Sequence, residues 1–230
     1  MKITYYTHST ILLEINNKNI IVDPFFTNNP IIKYNYLEKI IKKINIDYIF
    51  VTHAHYDHTI DVEKIYKKFN SIIISNYEIC RYFSKKGCKT FSINFGSFIK
   101  INSLFYIKYV YALHSSSFND GSYGGNPGGF IIKYNNKIIY ISGDTYVFRD
   151  MKYFYKNLFI NLSILPIGGR YTMDVKDAYY ASCLLKCNNI LGVHYNTFPE
   201  IKINKNKAIS YFKKRSKKLF LLKKEDKIYI

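Results

Sequence analysis

The sequence predicts a mixed α/β fold in a single domain spanning residues 1–230, and three observations carry this prediction. Short apolar runs rich in β-branched and aromatic residues alternate with segments whose apolar residues recur at helical spacing. A chain of 230 residues, 48% of them hydrophobic, is large enough to bury one extensive core. Several predicted strands end at a histidine or an aspartate, and loops that leave a sheet are common carriers of functional groups.

The first half of the chain is expected to begin with an antiparallel edge and to continue with alternating helices and strands. Tyr36, Ile40 and Ile44 share one helical face, and Asp61 stands where it can cap the second helix. A turn at 16–18 joins two of the first strands. In order, we expect strands at 2–7, 11–16 and 19–23, a helix at 35–44, a strand at 46–51, a helix at 61–69, a strand at 71–75, a helix at 77–86, and strands at 89–92, 97–101 and 104–113.

The second half opens with a glycine-rich loop at 121–129. The loop lacks the Gly-Lys-Ser/Thr of a phosphate-binding loop, so its glycines are expected to permit turns and close backbone approach. Asp174 can cap the helix that follows, and Asp177 favours its first turn. In order, we expect strands at 130–134 and 137–141, a strand running from 161 into a loop, a helix at 175–185, a strand at 190–194, a helix at 204–214, and strands at 218–222 and 227–230.

The densest chemical signal is the segment Val-Thr-His-Ala-His-Tyr-Asp-His, from Val51 to His58. It follows an apolar run, so its side chains would lie on the loop at the carboxyl end of a buried strand. Neutral imidazole is the commonest metal ligand in proteins. In an extended turn His53 and His55 would point the same way, whereas Asp57 and His58 are displaced enough to serve a second metal. The segment therefore predicts half of a two-metal site.

The pattern His-x-His-x-Asp-His at 53–58 resembles the metallo-β-lactamase superfamily, and the resemblance covers nearly the whole chain. It is closest to the cytoplasmic bacterial metal-dependent hydrolases of the ascorbate-phosphate-lactonase-like branch. The motifs of that narrower match are His8-Ser9, Asp23-Pro24-Phe25, His114-Ser-Ser-Ser117, Gly143-Asp144-Thr145, Asp150-Met151, Leu165-Pro-Ile-Gly168 with Thr172-Met173, and His194-Tyr-Asn-Thr-Phe-Pro199. The resemblance implies an αββα four-layer sandwich, in which two mixed β-sheets face each other, helices lie outside, and metals lie at one rim.

The resemblance also implies a set of seven metal ligands that includes five of the six histidines. An acid at Asp23 would orient the histidine loop from outside the ligand set. The implied assignment is His53, His55 and His114 to the first metal, Asp57, His58 and His194 to the second, and Asp144 as the bridge between them.

This ligand set predicts hydrolysis. Two cations that bridge a water lower its pKa and present hydroxide to an electrophilic carbon or phosphorus. We therefore expect a metal-dependent hydrolase of a small ester, lactone or phosphoester, with Asp57 accepting the water's proton. Two divalent metal ions are the expected cofactors, with zinc as the default; manganese and iron also suit a site with two carboxylates. The alternative is a metal-dependent nuclease or phosphodiesterase that acts on RNA or DNA.

Two further residues are candidates for the site. No metal requires His8, which the resemblance places by the active site, so we expect it to contact substrate or to shuttle a proton to the leaving group. Arg170 is the candidate for binding an anionic group, because guanidinium pairs bidentately with phosphate or carboxylate. An exposed, solvated loop arginine is the alternative for Arg170.

The composition of the chain limits which classes of partner we expect. The formal net charge is +18, but only four of the 34 basic residues are arginine, and the excess of Lys, Asn, Ile and Tyr is typical of AT-rich codons. The charge therefore does not by itself indicate a nucleic-acid partner. Neither a membrane-spanning run nor a secretory signal is recognised, so we expect a cytoplasmic protein whose four cysteines are small buried side chains. The expected partner is a small molecule, anionic if Arg170 binds it, and assembly into a homo-oligomer stays open.

Overall fold

The structure is a computed structural model that describes residues 1–102, 104–154 and 158–230. Two seven-stranded sheets pack face to face, and the helices cover their outer faces. Both sheets contain antiparallel and parallel pairs. The αββα sandwich of two mixed sheets is therefore confirmed.

The first sheet has the strand order β14-β1-β2-β3-β4-β5-β6. Its strands are β1 Lys2–Thr7, β2 Thr10–Ile15, β3 Lys18–Val22, β4 Tyr48–Phe50, β5 Ile72–Ser75, β6 Thr90–Ser92 and β14 Lys227–Tyr229. The strands β1, β2 and β3 pair antiparallel, and β3 to β6 pair parallel. The expectation that the fold begins at a sheet edge is wrong, because β14 returns from the carboxyl end of the chain and covers β1.

The second sheet has the strand order β13-β12-β11-β10-β9-β8-β7. Its strands are β7 Ile99–Ile101, β8 Phe105–Tyr111, β9 Gly128–Tyr134, β10 Lys137–Ile141, β11 Leu162–Pro166, β12 Asn189–Val193 and β13 Lys218–Phe220. The strands β7 to β10 pair antiparallel, whereas β10 to β13 pair parallel. The parallel strands therefore present their carboxyl ends at one common edge.

The described residues form six α-helices: α1 Tyr36–Lys43, α2 Tyr56–Thr59, α3 Val62–Phe69, α4 Tyr77–Ser84, α5 Val175–Leu184 and α6 Lys205–Lys213. Short 3₁₀ turns occupy Arg149–Tyr153 and Pro199–Ile201. Among the described residues, no helix is both long and apolar enough to span a membrane.

Apolar packing occurs in three layers, as alternation along the strands requires. Phe50 of β4 and Phe130 of β9 meet between the sheets, with ring centroids 4.7 Å apart. Outside the first sheet, Ile49 packs with residues of α1, α3 and α4. Outside the second sheet, Leu165 packs with residues of α5 and α6. Central strands such as β2, β4 and β11 thus bury both faces, which explains their continuous apolar runs.

Three local expectations were altered by tertiary contacts. The turn of helix α2 was not predicted, and Gly128 and Gly129 belong to β9 rather than to the preceding loop. Asp61 stands at the start of α3, but its carboxylate caps no helical amide. It accepts instead from the backbone N–H of Phe26 at 2.6 Å and of Thr27 at 2.9 Å. Asp174 does cap α5 as predicted.

Candidate metal centre

The candidate ligands meet at the rim of the sandwich because both sheets deliver strand ends there. Six of the functional residues lie one to three positions beyond a strand. His8 follows β1, Asp23 follows β3, His53 follows β4, His114 follows β8, Asp144 follows β10, and His194 follows β12. Residues far apart in sequence are thereby brought within contact distance, on loops held by a rigid scaffold.

His53, His55 and His114 form the first group. Their potential ligand atoms all lie within 4.8 Å of one another. The closest pair is His53 Nε2 and His55 Nδ1, which are 3.0 Å apart. This grouping matches the set that the resemblance assigns to the first metal.

Asp57, His58 and His194 belong to the second group. The Nε2 atoms of both histidines lie 3.6 Å from Oδ2 of Asp57. His8 falls within the same 4.8 Å limit and therefore joins this group by distance. Asp57 and His58 lie on the one-turn helix α2 and not on an extended turn. His58 also lies within 4.8 Å of His53 and Asp144, so the two groups adjoin each other.

Asp144 lies between the two groups. Its Oδ2 atom is 3.0 Å from His194 Nε2, 3.5 Å from His58 Nε2, 3.8 Å from His114 Nε2 and 4.0 Å from His53 Nε2. One carboxylate therefore stands within 4.0 Å of imidazoles from both groups.

The residues fit divalent metal ions. His58 Nε2 and Asp144 Oδ1 are buried and have no hydrogen-bond partner among the described residues. Buried polar atoms are almost always satisfied, so such atoms in a native site indicate a missing ligand or ion. Imidazoles with two carboxylates form a donor set that suits zinc, and also manganese or iron.

Neighbouring carboxylates raise the pKa of two histidines in the cluster, His194 and His58. Burial disfavours the imidazolium of His194, but Asp144 and Asp57 outweigh it and raise its pKa to about 9. Burial likewise opposes charge on His58, and Asp144 with Asp23 raises its pKa well above the usual value. Burial would raise the pKa of Asp144, but the neighbouring His194 and His58 hold it well below its ordinary range. A positive charge is therefore stabilised at the second group.

His8 lies behind the second group and not in the cavity. Its ring is fully buried, with Nε2 2.9 Å from Asp57 Oδ2 and Nδ1 2.8 Å from Thr197 Oγ1. Burial is the main cause that lowers the pKa of His8 to about 4. The structure does not bring His8 to the cavity wall, because both ring nitrogens are engaged inside the protein. Proton transfer from His8 could proceed only through Asp57.

Unusual backbone conformations occur at the same place. His8, Asp23 and His194 have positive φ angles of 50°, 46° and 54°. Such conformations cost free energy for residues other than glycine and concentrate at functional sites. The backbone N–H of His194 donates to the carbonyl of His8 at 2.9 Å, which joins the two sheets at the centre of the site.

Asp23 braces the histidine loop as predicted. Its carboxylate accepts from the backbone N–H of Thr52 at 2.8 Å and from the Thr52 hydroxyl at 2.7 Å. Its Oδ2 atom also lies 2.9 Å from Nδ1 of His58. The acid thus orients the loop before His53 and one ligand of the second group.

Two residues that position the histidine loop, Ser116 and Gly143, were not predicted from the sequence. The hydroxyl of Ser116 accepts from the backbone N–H of Ala54 at 3.1 Å, which ties the histidine loop to the loop after His114. Gly143 has a φ of 62°, and an added Cβ would lie 2.7 Å from the Cβ of Thr52. The Gly-Asp-Thr motif signalled the glycine, whereas nothing distinguished Ser116 from its serine neighbours.

The candidate metal ligands border a cavity of about 600 Å³. Five candidate ligands contribute to its lining: His55, Asp57, His114, Asp144 and His194. The remaining wall includes four aromatic residues, Phe25, Tyr56, Tyr171 and Phe198, with Asn28, Ser115 and Glu200. A cavity of this size suits a small molecule.

Arg170 is not among the residues that line the cavity. Its side chain is exposed, and its guanidinium carbon lies 5.5 Å from the centroid of the Tyr171 ring. The backbone of Arg170 is left-handed, with a φ of 58°. It is the neighbouring Tyr171 that lines the cavity.

Comparison with known proteins agrees with the fold. A family model described as a β-lactamase superfamily domain matches residues 2–194. A UPF0173 metal-dependent hydrolase of Flavobacterium johnsoniae is 47% identical over 222 residues, which cover 96% of both chains. Another, of Christiangramia forsetii, is 42% identical and also covers 96% of both chains. The solved structure of Igni18, a metallo hydrolase of Ignicoccus hospitalis, matches with a TM-score of 0.90 at 31% identity, covering 99% of this chain and 97% of its own.

Fold, site and family model together define a domain of the metallo-β-lactamase superfamily, which confirms the resemblance. Within it, the chain belongs to the UPF0173 family of metal-dependent hydrolases. The protein is accordingly an enzyme, a metal-dependent hydrolase.

Proposed function

We propose that this enzyme holds two divalent cations, zinc by default, and hydrolyses a small ester, lactone or phosphoester. The observation that carries the proposal is the position of Asp144, whose Oδ2 atom lies within 4.0 Å of histidine nitrogens from both groups. A carboxylate in that position can serve two cations at once. His53, His55 and His114 would hold one, and Asp57, His58 and His194 the other.

The cations, when bound, lower the pKa of a water so that it supplies hydroxide near neutral pH, and polarise the group that it attacks. Asp57 lines the cavity with a carboxylate, so it is placed to accept a proton from that water. His8 fixes Oδ2 of Asp57 from the protein side. We assign His8 as a positioning residue, since it touches Asp57 and not the cavity.

The cavity supports a small-molecule substrate over a nucleic acid. Its volume of about 600 Å³ lies in the range of pockets that enclose a small ligand. A nuclease needs an extended cationic groove to follow a phosphate backbone. The hydrolase of a small substrate is therefore the function that we propose.

A cytoplasmic location is part of the proposal. All four cysteines are free, and Cys80, Cys88 and Cys187 are buried. Free cysteines are typical of a reducing compartment, where disulfides rarely form. Cell fractionation with an antibody to the native protein tests this; recovery with an exported fraction would contradict it.

Metal analysis and activity together test the catalytic proposal. Protein purified without chelator should contain about two transition-metal ions per chain. It should hydrolyse some members of a panel of esters, lactones and phosphoesters. Chelation should abolish that activity, and zinc, manganese or iron should restore it. Full activity with one ion per chain, or an unchanged rate after metal removal, would contradict the proposal.

A further inference from the structure

Part of the cavity wall is not used by the hydrolytic chemistry. Phe25 forms an aromatic group with its neighbours, its ring centroid lying 6.2 Å from that of Phe198 and 6.3 Å from that of Tyr56. Tyr171 lines the same cavity and is half exposed. The rings therefore offer apolar faces to whatever part of the substrate extends away from the metal residues.

Glu200 is an exposed residue that contributes a carboxylate to the lining of the same cavity. It lies in the 3₁₀ turn Pro199–Ile201, two residues after Phe198, and both side chains line the cavity. No described residue donates a hydrogen bond to its carboxylate or forms an ion pair with it. Unlike Asp57 and Asp144, Glu200 lies outside the candidate metal groups. Its charge is therefore free to pair with a ligand.

The side chains that line the cavity near Glu200 lack the positive charge that predominates in the chain as a whole. The chain has a net charge of +18 and 34 basic residues, but none of the described lining residues is Lys or Arg. An anionic tail in the cavity would meet Glu200 without a neighbouring cation from the lining. A protonated amine would instead gain an ion pair with the carboxylate and an attraction to the aromatic faces.

We propose that the substrate carries a protonated amine, or another cationic nitrogen, which Glu200 binds together with Phe198 and Tyr171. The scissile group of the same molecule then lies at the metal residues. This inference rests on the proposed hydrolytic function, because it concerns the same cavity. It replaces the anionic substrate that Arg170 suggested with one of opposite charge.

Binding of three amides of equal chain length tests the inference without catalysis. The probes are 6-aminohexanamide, hexanamide and 6-amino-6-oxohexanoic acid, titrated into the metal-loaded enzyme and followed by NMR. We expect the amine to bind about tenfold more tightly than the neutral amide, and the carboxylate most weakly. Equal affinity for the amine and the neutral amide, tightest binding of the carboxylate, or no detectable binding of the amine would overturn the inference.

The matched variants are Glu200→Gln and Glu63→Gln. Glu63 lies on α3, where it pairs with Lys67, so its substitution removes the same charge outside the cavity. Glu200→Gln should abolish the advantage of the amine over the neutral amide, and Glu63→Gln should retain it. An amine advantage that survives Glu200→Gln would overturn the assignment of Glu200.

A kinetic comparison separates this inference from the proposed function. The substrates are the 4-nitrophenyl esters of 6-aminohexanoic, hexanoic and hexanedioic acid, the last as its monoester. We expect kcat/KM to favour the amine over the neutral ester, and Glu200→Gln to reduce that ratio about tenfold. If the metal-loaded enzyme hydrolyses neither these esters nor any member of the ester, lactone and phosphoester panel but binds the amine through Glu200, the hydrolytic proposal fails and the inference stands. If it hydrolyses them without preferring the amine, the inference fails and the hydrolytic proposal stands.

Discussion

The Nε2 atom of His8 lies 2.9 Å from Oδ2 of Asp57, although the two residues are separated by 49 positions in the sequence. The other ring nitrogen of His8 lies 2.8 Å from the hydroxyl of Thr197, near the carboxyl end of the chain. A single buried imidazole thus connects the first strand, the helix α2 and the loop after β12. Because Asp57 is also a candidate ligand, this connection positions the metal site from the protein side.

Replacement of His8 by alanine should weaken the second metal site. We expect His8→Ala to lower second-metal affinity or kcat by about 10- to 100-fold, the usual effect of removing a residue that orients a ligand. His8→Gln should recover part of the loss, because its amide can still donate to Asp57. Metal content and kcat measured at saturating and limiting zinc check this. Unchanged metal affinity and kcat in His8→Ala would show that the contact between His8 and Asp57 does not position the metal site.

Asp144→Asn tests the bridging carboxylate. The amide is isosteric but neutral, so we expect fewer than two metals per chain and a loss of activity of roughly 10³-fold or more. Asp174→Asn is the matched control, since asparagine also caps helices and Asp174 lies outside the candidate ligands. Elemental analysis and steady-state kinetics supply the measurements. Two tightly bound metals in Asp144→Asn would exclude the bridging role.

Asp57→Asn separates coordination from proton transfer. The amide oxygen can still coordinate weakly, but it cannot accept a proton from water. We therefore expect activity to fall more completely than metal content. Activity assayed with excess zinc, alongside metal content, gives the comparison. A variant that recovers normal kcat once zinc is supplied would remove Asp57 from proton transfer.

Gly143→Ala should destabilise the fold near Asp144. The added Cβ would meet the Cβ of Thr52 at 2.7 Å, at a backbone φ of 62°. We expect a loss of about 2–4 kcal/mol in the free energy of unfolding, together with weaker metal binding. Gly87→Ala is the control, because its φ is 80° but nothing lies within 4 Å of an added Cβ. It should cost only about 1 kcal/mol. Urea unfolding of both variants gives the comparison, and equal losses would exclude the steric argument.

Metal binding should release protons near neutral pH. In the metal-free enzyme the pKa of His194 is raised to about 9, and that of His58 is also raised. Metals need neutral imidazole, so affinity should increase as the pH rises from about 6.5 to 9. Calorimetry at pH 7 in buffers of different ionisation enthalpy should detect the released protons. A binding enthalpy that is independent of the buffer would contradict this prediction.

The raised pKa of His194 also predicts how the stability of the metal-free protein changes with pH. A raised histidine pKa stabilises the folded metal-free protein fully below the unfolded pKa of about 6.5, and this stabilisation is lost as pH rises through the folded pKa. Thermal unfolding of chelated protein should therefore show the contribution of His194 decreasing between about pH 6.5 and 9. Substitution of His194 by glutamine should remove that pH dependence. If the dependence is unchanged in the variant, another group is responsible.

The sequence by itself determined the elements and the chemistry of the site. Apart from α2, the strands and helices were predicted to within a few residues. The apolar pattern of a central strand that buries both faces, or of an outer helix that buries one, is local in the sequence. The metal-ligand candidates were recognisable because the motifs that carry them resemble those of the metallo-β-lactamase superfamily. Their order along the chain, from His53 to His194, matches that of the superfamily, and this resemblance implied one shared site.

Tertiary structure alone decided what surrounds those ligands. The return of β14 to cover β1, the engagement of Asp61 by the loop after β3 and the burial of His8 behind Asp57 all depend on contacts between segments distant in sequence. The same is true of Arg170, which lies outside the cavity while Glu200 lines it. Local sequence specifies a residue's chemistry and its place in an element, whereas the direction that a loop side chain faces is set by the packing of the two sheets.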